Sequence, residues 1–325
     1  MRDVLEKRPG WRVVHLPVHD CFRHPLRLFT VQAYHLATAG AVLLNDNFMP
    51  MADLRFSPKA VVIQLWHGEG ALKRYGLSLP LAPRLAGRVR RGSMRCTAIV
   101  CAAEHLAPCT AEAFGVPQER VLPLGSPRTD ALVNPVDRKA LRLAFEEQHP
   151  ACKNKRLILY APTFRDDPAD NAALLSHFDF DAFAARFADE AVLLLRLHAK
   201  QIAGAPIPAA VIDVTGYPDG LALLRLCDAF VTDYSSMAME AALLDVPTYC
   251  YAFDYEQYAR DRGFYKGLRE LPPGPVAGDF AGLLDALAAP DTYKTQRKAF
   301  AEFHLGKPDG RAAERVAGLI LNARG

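Results

Sequence analysis

The chain has 325 residues, of which 50% are hydrophobic and 23% are charged, and its formal net charge at pH 7 is +3. This composition is typical of a globular protein, and the length allows two domains of ordinary size. No run of about 18 uncharged apolar residues occurs, so the sequence predicts no membrane-spanning helix. The first residues carry too many charges for a secretory signal.

The seven cysteines are scattered along the chain, and no Cys-x-x-Cys pair occurs among them. Neither a disulfide framework nor a zinc knuckle is therefore supported. We expect reduced thiols and a cytoplasmic protein.

Short apolar segments alternate with helical stretches along the chain. Apolar runs predict strands at residues 11–16, 40–44, 61–65, 96–101, 121–124, 156–161, 191–197, 210–214, 229–232 and 248–251. Helical periodicity predicts helices at residues 25–38, 138–148, 181–188, 220–226, 237–244, 279–287, 293–302 and 310–322. The alternation predicts an α/β fold with parallel sheets, and a polar segment indicates a domain boundary near residues 134–150.

A polar cluster follows five of the predicted strands at the point where each strand ends. The clusters occupy residues 64–76, 125–130, 161–167, 196–200 and 232–236. Each cluster by itself has an ordinary structural explanation. Ligands of α/β proteins bind at the carboxyl ends of parallel strands, so the common position of the clusters predicts a binding site.

The first cluster contains His67, which follows a buried apolar run and precedes Gly68 and the cation Lys73. A base that works near neutral pH beside anion-binding groups suits chemistry on a phosphorylated substrate. The alternative is a hydrogen-bonded histidine at a strand end.

The other clusters contain groups that can bind anions. Ser235 and Ser236 precede a predicted helix, where free amides and hydroxyls can hold a phosphate, or where the serines simply cap the helix. Arg128 and Arg165 can each donate paired hydrogen bonds to phosphate, with a surface salt bridge as the alternative. His198 closes its strand and could instead be a core histidine.

A basic segment runs from residue 73 to residue 95. It contains Lys73, Arg74, Arg84, Arg88, Arg90, Arg91 and Arg95, with apolar residues between the charges. Such a segment can lie on an anionic membrane surface or hold a polyanion. The alternative is a plain surface helix. We predict no nucleic-acid partner.

Several catalytic classes lack their motifs in this chain. The sequence has no Gly-x-x-x-x-Gly-Lys-Ser/Thr loop, no Gly-x-Gly-x-x-Gly turn and no Gly-x-Ser-x-Gly elbow. This argues against a P-loop kinase, a dinucleotide oxidoreductase and a serine hydrolase. No cluster has clear metal-ligand spacing, although Asp166 and Asp167 could hold a cation. We predict neither a metal nor a cofactor.

Taken in order, the clusters resemble the CDP-glycerol glycerophosphotransferase family, which contains the teichoic acid primases and polymerases. The matching segments are Gln64-Leu65-Trp66-His67-Gly68, Gly125-Ser126-Pro127-Arg128-Thr129-Asp130, Tyr160-Ala161-Pro162-Thr163-Phe164-Arg165, Leu195-Arg196-Leu197-His198, Val231-Thr232-Asp233-Tyr234-Ser235-Ser236 and Arg262-Gly263-Phe264-Tyr265. The chain departs from the family pattern at Glu69, Ala199 and Glu240.

The resemblance implies a GT-B-like fold of two facing Rossmann-type domains with a cleft between them. Residues 1–140 are the implied acceptor-side domain, shortened at the N-terminus, and residues 141–325 the CDP-donor-binding domain with C-terminal helices. The implied reaction moves a polyol phosphate, with glycerol phosphate expected, from CDP-glycerol or CDP-ribitol and releases CMP. The implied acceptor is a hydroxyl of a cell-surface glycopolymer, such as teichoic acid or capsule, or its lipid-linked precursor. The implied location is peripheral, on the inner face of the cell membrane.

The resemblance also implies roles for individual residues. His67 is the implied general base, and His198 binds or neutralises the donor pyrophosphate. Gly68 and Lys73 are implied on the acceptor side. The donor phosphates or nucleotide are expected to contact Gly125, Arg128, Thr163, Arg165, Ser235, Ser236, Glu240 and Arg262. The alternatives are a GT-B nucleotide-sugar glycosyltransferase and a non-catalytic domain that binds an anionic glycopolymer or a membrane.

Overall fold

The chain forms two compact units in the computed structural model. The first unit comprises Met1–Asn134 and His304–Gly325, and the second comprises Pro135–Phe303. The structure describes residues 5–6, 10–16, 25–54, 56–68, 70–198, 207–209 and 211–323. The family resemblance implies that residues 304–325 belong to the second domain, whereas the described residues from 304 to 323 belong to the first unit.

Each unit contains one parallel sheet. The first sheet has the strand order β1-β2-β3-β4, formed by β1 (Ala41–Leu44), β2 (Val61–Gln64), β3 (Ala98–Val100) and β4 (Val121–Leu122). The second sheet contains β5 (Arg156–Tyr160), β6 (Ala191–Leu195), β7 (Ile212–Asp213), β8 (Ala229–Thr232), β9 (Thr248–Tyr251) and β10 (Val276–Ala277). Its order is β10-β9-β8-β5-β6-β7, all parallel. The order reverses between β5 and β8, as in Rossmann-type sheets.

Helices connect the strands. Before β1, a helical turn (Pro25–Arg27) and a π-helical turn (Leu28–Gln32) lead into α1 (Ala33–Thr38). The helices that follow are α2 (Pro83–Ser93), α3 (Ala107–Phe114), α4 (Pro127–Val133), α5 (Arg138–Gln148), α6 (Pro168–Ala173), α7 (Phe180–Phe187), α8 (Gly220–Leu226), α9 (Met237–Leu243), α10 (Tyr255–Asp261), α11 (Phe280–Ala288), α12 (Lys294–Leu305) and α13 (Ala312–Asn322). Within the described ranges, no helix is both long enough and apolar enough to cross a lipid bilayer.

The core of the first unit lies on both faces of its sheet, because alternate side chains of β2 point in opposite directions. Val62 belongs to a core that includes Met51 and Phe114. Ile63 belongs to the opposite core, which includes Val316 and Ile320 of α13. Helix α13 therefore covers one face of the first sheet, and this burial explains why the C-terminal segment belongs to the first unit.

Helix α12 contains the boundary between the units, which falls between Phe303 and His304. Within the second unit, its buried Arg297 lies 2.9 Å from an Asp245 oxygen and 2.8 Å from an Asp291 oxygen. The guanidinium of Arg297 thereby links α12 to Asp245, which follows α9, and to Asp291, which precedes α12.

The predicted α/β class with parallel sheets is confirmed, and nine of the ten predicted strands have a counterpart in the observed strands. A strand at residues 11–16 is wrong: these residues form no strand, and Trp11 and Val13 pack against the core that contains α13. These apolar side chains pack against a core, but their backbone pairs with no neighbouring strand. Of the predicted strand at residues 210–214, residue 210 lies outside the described residues. The sequence pattern does not indicate β10, because two residues carry no periodicity.

Candidate active site

The backbone turns sharply after β2, and the buried side chain of Gln64 holds this turn. Gln64 Oε1 accepts a hydrogen bond from Trp66 N at 2.9 Å, and Gln64 Nε2 donates to Asp46 O at 3.1 Å. Trp66 has φ +60°, in the left-handed region that bulky residues rarely adopt. Backbone strain of this kind persists where surrounding contacts enforce it, and it is common at functional sites.

The indole of Trp66 packs among three other rings. It stacks on Tyr75 with a centroid distance of 5.2 Å, meets Phe114 edge-on at 5.3 Å, and lies 4.6 Å from the His67 ring. A Cβ at Gly68 would lie 3.2 Å from Trp66 Nε1, so a side chain there would push against the indole. Aromatic packing thus holds Trp66 and Tyr75 at the two ends of the loop of residues 66–75. Such ring pairs stabilise more than the apolar area that they bury would alone.

His67 is exposed over 55% of its side chain. Its Nδ1 is hydrogen-bonded to Asn45 O at 3.2 Å and lies 3.3 Å from Asp46 Oδ1, and both oxygens can act only as acceptors. This arrangement favours the tautomer with the proton on Nδ1, which leaves the lone pair of Nε2 able to take a proton. Sequence reasoning misses Asp46, although it follows strand β1 as His67 follows β2.

The second cluster lies at the end of β4 in the same unit. Gly125 N donates to Cys101 O at 3.2 Å, and the Ser126 hydroxyl accepts from Arg128 N at 3.2 Å, capping α4. The Arg128 side chain is exposed. Asp130 accepts from Ala312 N at 3.0 Å, so it caps α13.

The first two clusters line a common cavity of about 30 Å³, enough for a single water molecule. Its walls include Trp66, Gly68, Gly70, Tyr75, Gly125 and Ser126. The structure therefore brings Gly68 and Gly125 together, as expected for strand-end clusters of one sheet. Lys73 is partly buried in the same loop as Gly68.

In the second unit, the third and fifth clusters meet where the strand order reverses. Thr163, which follows β5, donates its backbone N–H to Asp233 Oδ1 after β8 at 2.9 Å. Thr163 is only 8% exposed, and its hydroxyl has no hydrogen-bond partner among the described residues. The Ser235 hydroxyl accepts from Met237 N at 3.2 Å, whereas the Ser236 side chain makes no capping bond.

Arg165 is buried and is bonded to protein acceptors. Its Nε and Nη2 donate to the two oxygens of Asp254 at 2.7 and 3.0 Å, and its Nη1 donates to Thr163 O at 2.6 Å. Its Nη2 also lies 2.9 Å from Asp233 Oδ2. These contacts join the loops after β5, β8 and β9. The predicted contact of Arg165 with donor phosphate stays a prediction, and its observed partners are two carboxylates.

The remaining predicted residues lie in the same unit. Arg262 forms an ion pair with Asp166, while its buried Nε has no hydrogen-bond partner among the described residues. His198 is exposed, and its ring centroid lies 4.8 Å from that of Phe164. Glu240 is buried in α9. Two departures from the family pattern, Glu69 and Ala199, lie outside the described residues.

The described residues contain neither a metal-binding cluster nor a disulfide. Among the residues that the structure describes, no three His, Cys, Asp or Glu side chains gather so that they could hold a metal ion. Asp166, one of the two aspartates considered for a cation, is paired with Arg262. The six described cysteines are free thiols, and Cys21 lies outside the described residues.

Comparison with known proteins identifies the family. A model of the family described as CDP-Glycerol:Poly(glycerophosphate) glycerophosphotransferase matches residues 22–322. The teichoic acid ribitol-phosphate primase of Bacillus spizizenii is 33% identical over 296 residues, which cover 88% of this chain and 76% of that protein. The teichoic acid ribitol-phosphate polymerase TarK of Staphylococcus aureus is 31% identical over 97% of this chain, which spans only 60% of TarK.

Solved structures agree with this result. The wall teichoic acid polymerase TagF superimposes with a TM-score of 0.72 at 27% identity, over 83% of this chain and 70% of TagF. This similarity confirms the GT-B-like fold class. With a family model that extends over nearly the whole chain, the protein belongs to the CDP-glycerol:poly(glycerophosphate) glycerophosphotransferase family.

Proposed function

We propose that this chain moves a polyol phosphate from a CDP-activated polyol to a hydroxyl group of a glycopolymer and releases CMP. Family membership supports the reaction class. The structural observation that carries the proposal is the buried Thr163 hydroxyl, which has no hydrogen-bond partner among the described residues. It follows β5 at the reversal of strand order, the position at which open α/β sheets bind ligands.

The donor site uses polar groups around this reversal. A buried hydroxyl without a partner costs about 1–3 kcal/mol, so the position favours a ligand that supplies an acceptor oxygen. A pyrophosphate has several such oxygens. In the proposed site the Thr163 and Ser236 hydroxyls and the Arg262 Nε donate to them. Contacts from Gly125, Arg128, Ser235 and Glu240 remain predictions.

His67 is the proposed general base. The acceptor hydroxyl attacks the phosphorus that carries the polyol, a new P–O bond forms, and the bond from that phosphorus to the bridging oxygen breaks. Nε2 of His67 takes the hydroxyl proton, and CMP leaves with the bridging oxygen. His198 and Arg262 neutralise the charge that develops on CMP, since positioning and charge neutralisation provide most of the catalysis in phosphoryl transfer. Gly68 and Lys73 contact the acceptor.

The acceptor is proposed to be lipid-linked, with the protein held peripherally on the inner face of the cell membrane. Helix α2 supports this part of the proposal. Arg84, Arg88 and Arg91 line an open surface depression together with Leu85, an exposed apolar residue, and with Asp53, which pairs with Arg88 at 2.6 Å. Cations beside an exposed apolar side chain suit an anionic lipid surface.

The decisive test is CMP release by the purified protein. CDP-glycerol and CDP-ribitol are each offered with a lipid-linked phosphoglycan acceptor, and we expect acceptor-dependent CMP from at least one donor. His67→Ala is the matched control, because it should lose turnover while still binding the CDP-polyol. Absence of CMP with both donors, together with no calorimetric binding of either, would contradict the proposal. Release of a nucleoside diphosphate from a nucleotide sugar would indicate a glycosyltransferase instead.

The membrane part is tested separately by vesicle sedimentation. We expect the protein to sediment with vesicles that contain anionic phosphatidylglycerol and to remain in solution with neutral phosphatidylcholine vesicles. Replacing Arg84, Arg88 and Arg91 together with glutamine should abolish sedimentation. Unchanged sedimentation of this variant would remove α2 from the attachment surface.

A further inference from the structure

His304 is a buried histidine of the first unit that the proposed reaction does not use. It lies near the end of α12 and has no exposed surface. Its Nδ1 accepts a hydrogen bond from the backbone N–H of Ala71 at 3.1 Å. The two residues are far apart in sequence, so this bond joins the C-terminal part of the chain to the loop of residues 66–75.

This bond fixes the protonation state of His304. Because Nδ1 is the acceptor, the proton of the neutral ring is on Nε2. Burial, assisted by the nearby His105, lowers the pKa of His304 to about 3. The ring therefore remains a neutral acceptor throughout the pH range in which the protein would work.

The backbone amide of Ala71, which donates to His304, lies in the buried middle part of the loop. Ala71 and Leu72 are buried, whereas His67 is exposed in the same loop. Ring packing of Trp66 and Tyr75 holds the two ends of the loop, and the bond to His304 holds its middle. A buried N–H that lost its acceptor would draw the backbone towards solvent, since leaving such a group unpaired is costly.

We propose that His304 is a positioning residue that holds the 66–75 loop so that His67 and Lys73 present the correct geometry to the acceptor. The inference rests on the proposed role of His67 as the base. His304 itself touches no reacting atom in this scheme. A displacement of about 1 Å in a reacting group can cost about 100-fold in rate, so a backbone anchor four residues from the base has catalytic consequences.

The test compares three variants of the purified full chain. His304→Leu removes the acceptor, and His304→Asn keeps an acceptor oxygen close to the position of Nδ1. Leu305→Ala is the matched control, because it creates a cavity at the next buried position of α12 without touching the Ala71 bond. We measure Tm, the KM and kcat for the acceptor, the Kd for the CDP-polyol, and hydrogen exchange of a peptide that spans residues 66–76.

We expect His304→Leu to reduce kcat/KM for the acceptor about 10- to 100-fold with an unchanged Kd for the CDP-polyol, and to accelerate exchange in the 66–76 peptide. His304→Asn should restore both properties nearly to those of the natural chain. The inference is overturned if Leu305→Ala produces the same kinetic loss at an equal fall in Tm, or if His304→Leu leaves acceptor kinetics unchanged.

The test remains interpretable if one variant does not fold or if the natural chain shows no activity. If His304→Leu does not fold, His304→Gln replaces it, since its acceptor oxygen lies one carbon further along the side chain and should restore less activity than asparagine. If the natural chain releases no CMP, the proposed function fails. Hydrogen exchange still reports whether His304 holds the loop, so the two failures remain distinguishable.

Discussion

The backbone N–H of Thr163 donates to Asp233 Oδ1 at 2.9 Å, across the point at which the order of the second sheet reverses. The other oxygen of Asp233 lies 2.9 Å from Arg165, whose guanidinium also bonds to Thr163 O. Both backbone groups of Thr163 are therefore held by protein. Its hydroxyl has no such partner among the described residues. The backbone of Thr163 is therefore fixed, while its hydroxyl is available to bind a ligand.

Thr163→Val should weaken binding of the CDP-polyol without destabilising the fold. The substitution keeps the shape of the side chain and removes a hydroxyl that has no hydrogen-bond partner among the described residues. A lost hydrogen bond to a charged group is worth about 1.5–3 kcal/mol, which corresponds to about a 10- to 150-fold increase in Kd. Calorimetry with the CDP-polyol measures the change.

Thr232→Val is the control for this substitution. The buried Thr232 hydroxyl donates to Ala161 O at 2.7 Å, so its loss should lower the free energy of unfolding by about 1–3 kcal/mol. If both valine variants lower stability equally and neither changes the Kd, the Thr163 hydroxyl has no part in donor binding.

His67→Ala should reduce kcat by about 100- to 10,000-fold, as expected for removal of a general base. Asp46→Asn should cause a smaller loss, because the carboxamide can present its N–H to the imidazole and so favour the wrong tautomer. Neither variant should change the Kd for the CDP-polyol, since neither His67 nor Asp46 is among the proposed donor contacts. CMP release and calorimetry separate the two effects, and full turnover by His67→Ala would refute the assignment of the base.

Arg165→Met should lower the free energy of unfolding by about 3–5 kcal/mol, because it leaves the carboxylates of buried Asp233 and partly buried Asp254 without their cation. Urea denaturation measures this loss. Arg311→Met is the control: Arg311 pairs with Glu314 on the surface, and such a pair contributes about 0–1 kcal/mol. Equal losses in the two variants would show that the buried network does not stabilise the second unit.

The free energy of unfolding should decrease as the pH falls below 6.5, because His304 takes up a proton only when the chain unfolds. Burial lowers the pKa of His304 to about 3 in the folded chain, against an ordinary value of 6.5. Between these values the unfolded chain binds a proton that the folded chain does not bind. The free energy of unfolding therefore decreases as the pH falls from 6.5 towards 3, by up to about 1.4 kcal/mol per pH unit.

His304→Asn should flatten this dependence, because asparagine does not titrate. Urea denaturation of the natural chain and of the variant at several pH values between 4 and 7 measures the difference. Parallel stability curves would mean that His304 is not a neutral buried group in the folded chain.

Gly76→Ala should destabilise the first unit. Gly76 has φ +57°, and a Cβ at this position would lie 2.2 Å from Ala113 O, a backbone atom that cannot turn away. Alanine at a positive φ already costs about 1 kcal/mol, and the clash adds to this cost. Gly278→Ala, where a Cβ would have no neighbour within 4 Å, is the control, and thermal unfolding compares the two variants.

The sequence predicts the local part of this protein well. Apolar runs predict the strands β2, β5 and β8, and the polar residues directly after them point to His67, Thr163 and Ser235. Each of these patterns lies within a few consecutive residues. The pattern also misleads locally. Residues 11–16 have the apolar character of a strand, but burial of Trp11 and Val13 requires no strand partner.

Long-range pairing is the part that the sequence does not reveal. Arg165 reads equally well as a phosphate ligand or an ion-pair partner, and only the folded chain brings Asp254 to its guanidinium. The bond between His304 and Ala71 is similar, since nothing near His304 in sequence indicates which amide it accepts. By contrast, the C-terminus of α3 has a local, weaker signal in the sequence. The helix is followed by Gly115, which has φ +63°, a left-handed conformation typical of residues at helix C-termini.

The discontinuity of the first unit determines the order in which the nascent chain can fold. The second unit, Pro135–Phe303, is continuous and can complete its core while synthesis proceeds. The first sheet is translated earlier but lacks α13, so the core that contains Ile63 and Val100 remains incomplete until residues 312–322 leave the ribosome. The segment made first is therefore completed last, and during this interval the apolar surface that α13 later covers is exposed to chaperones.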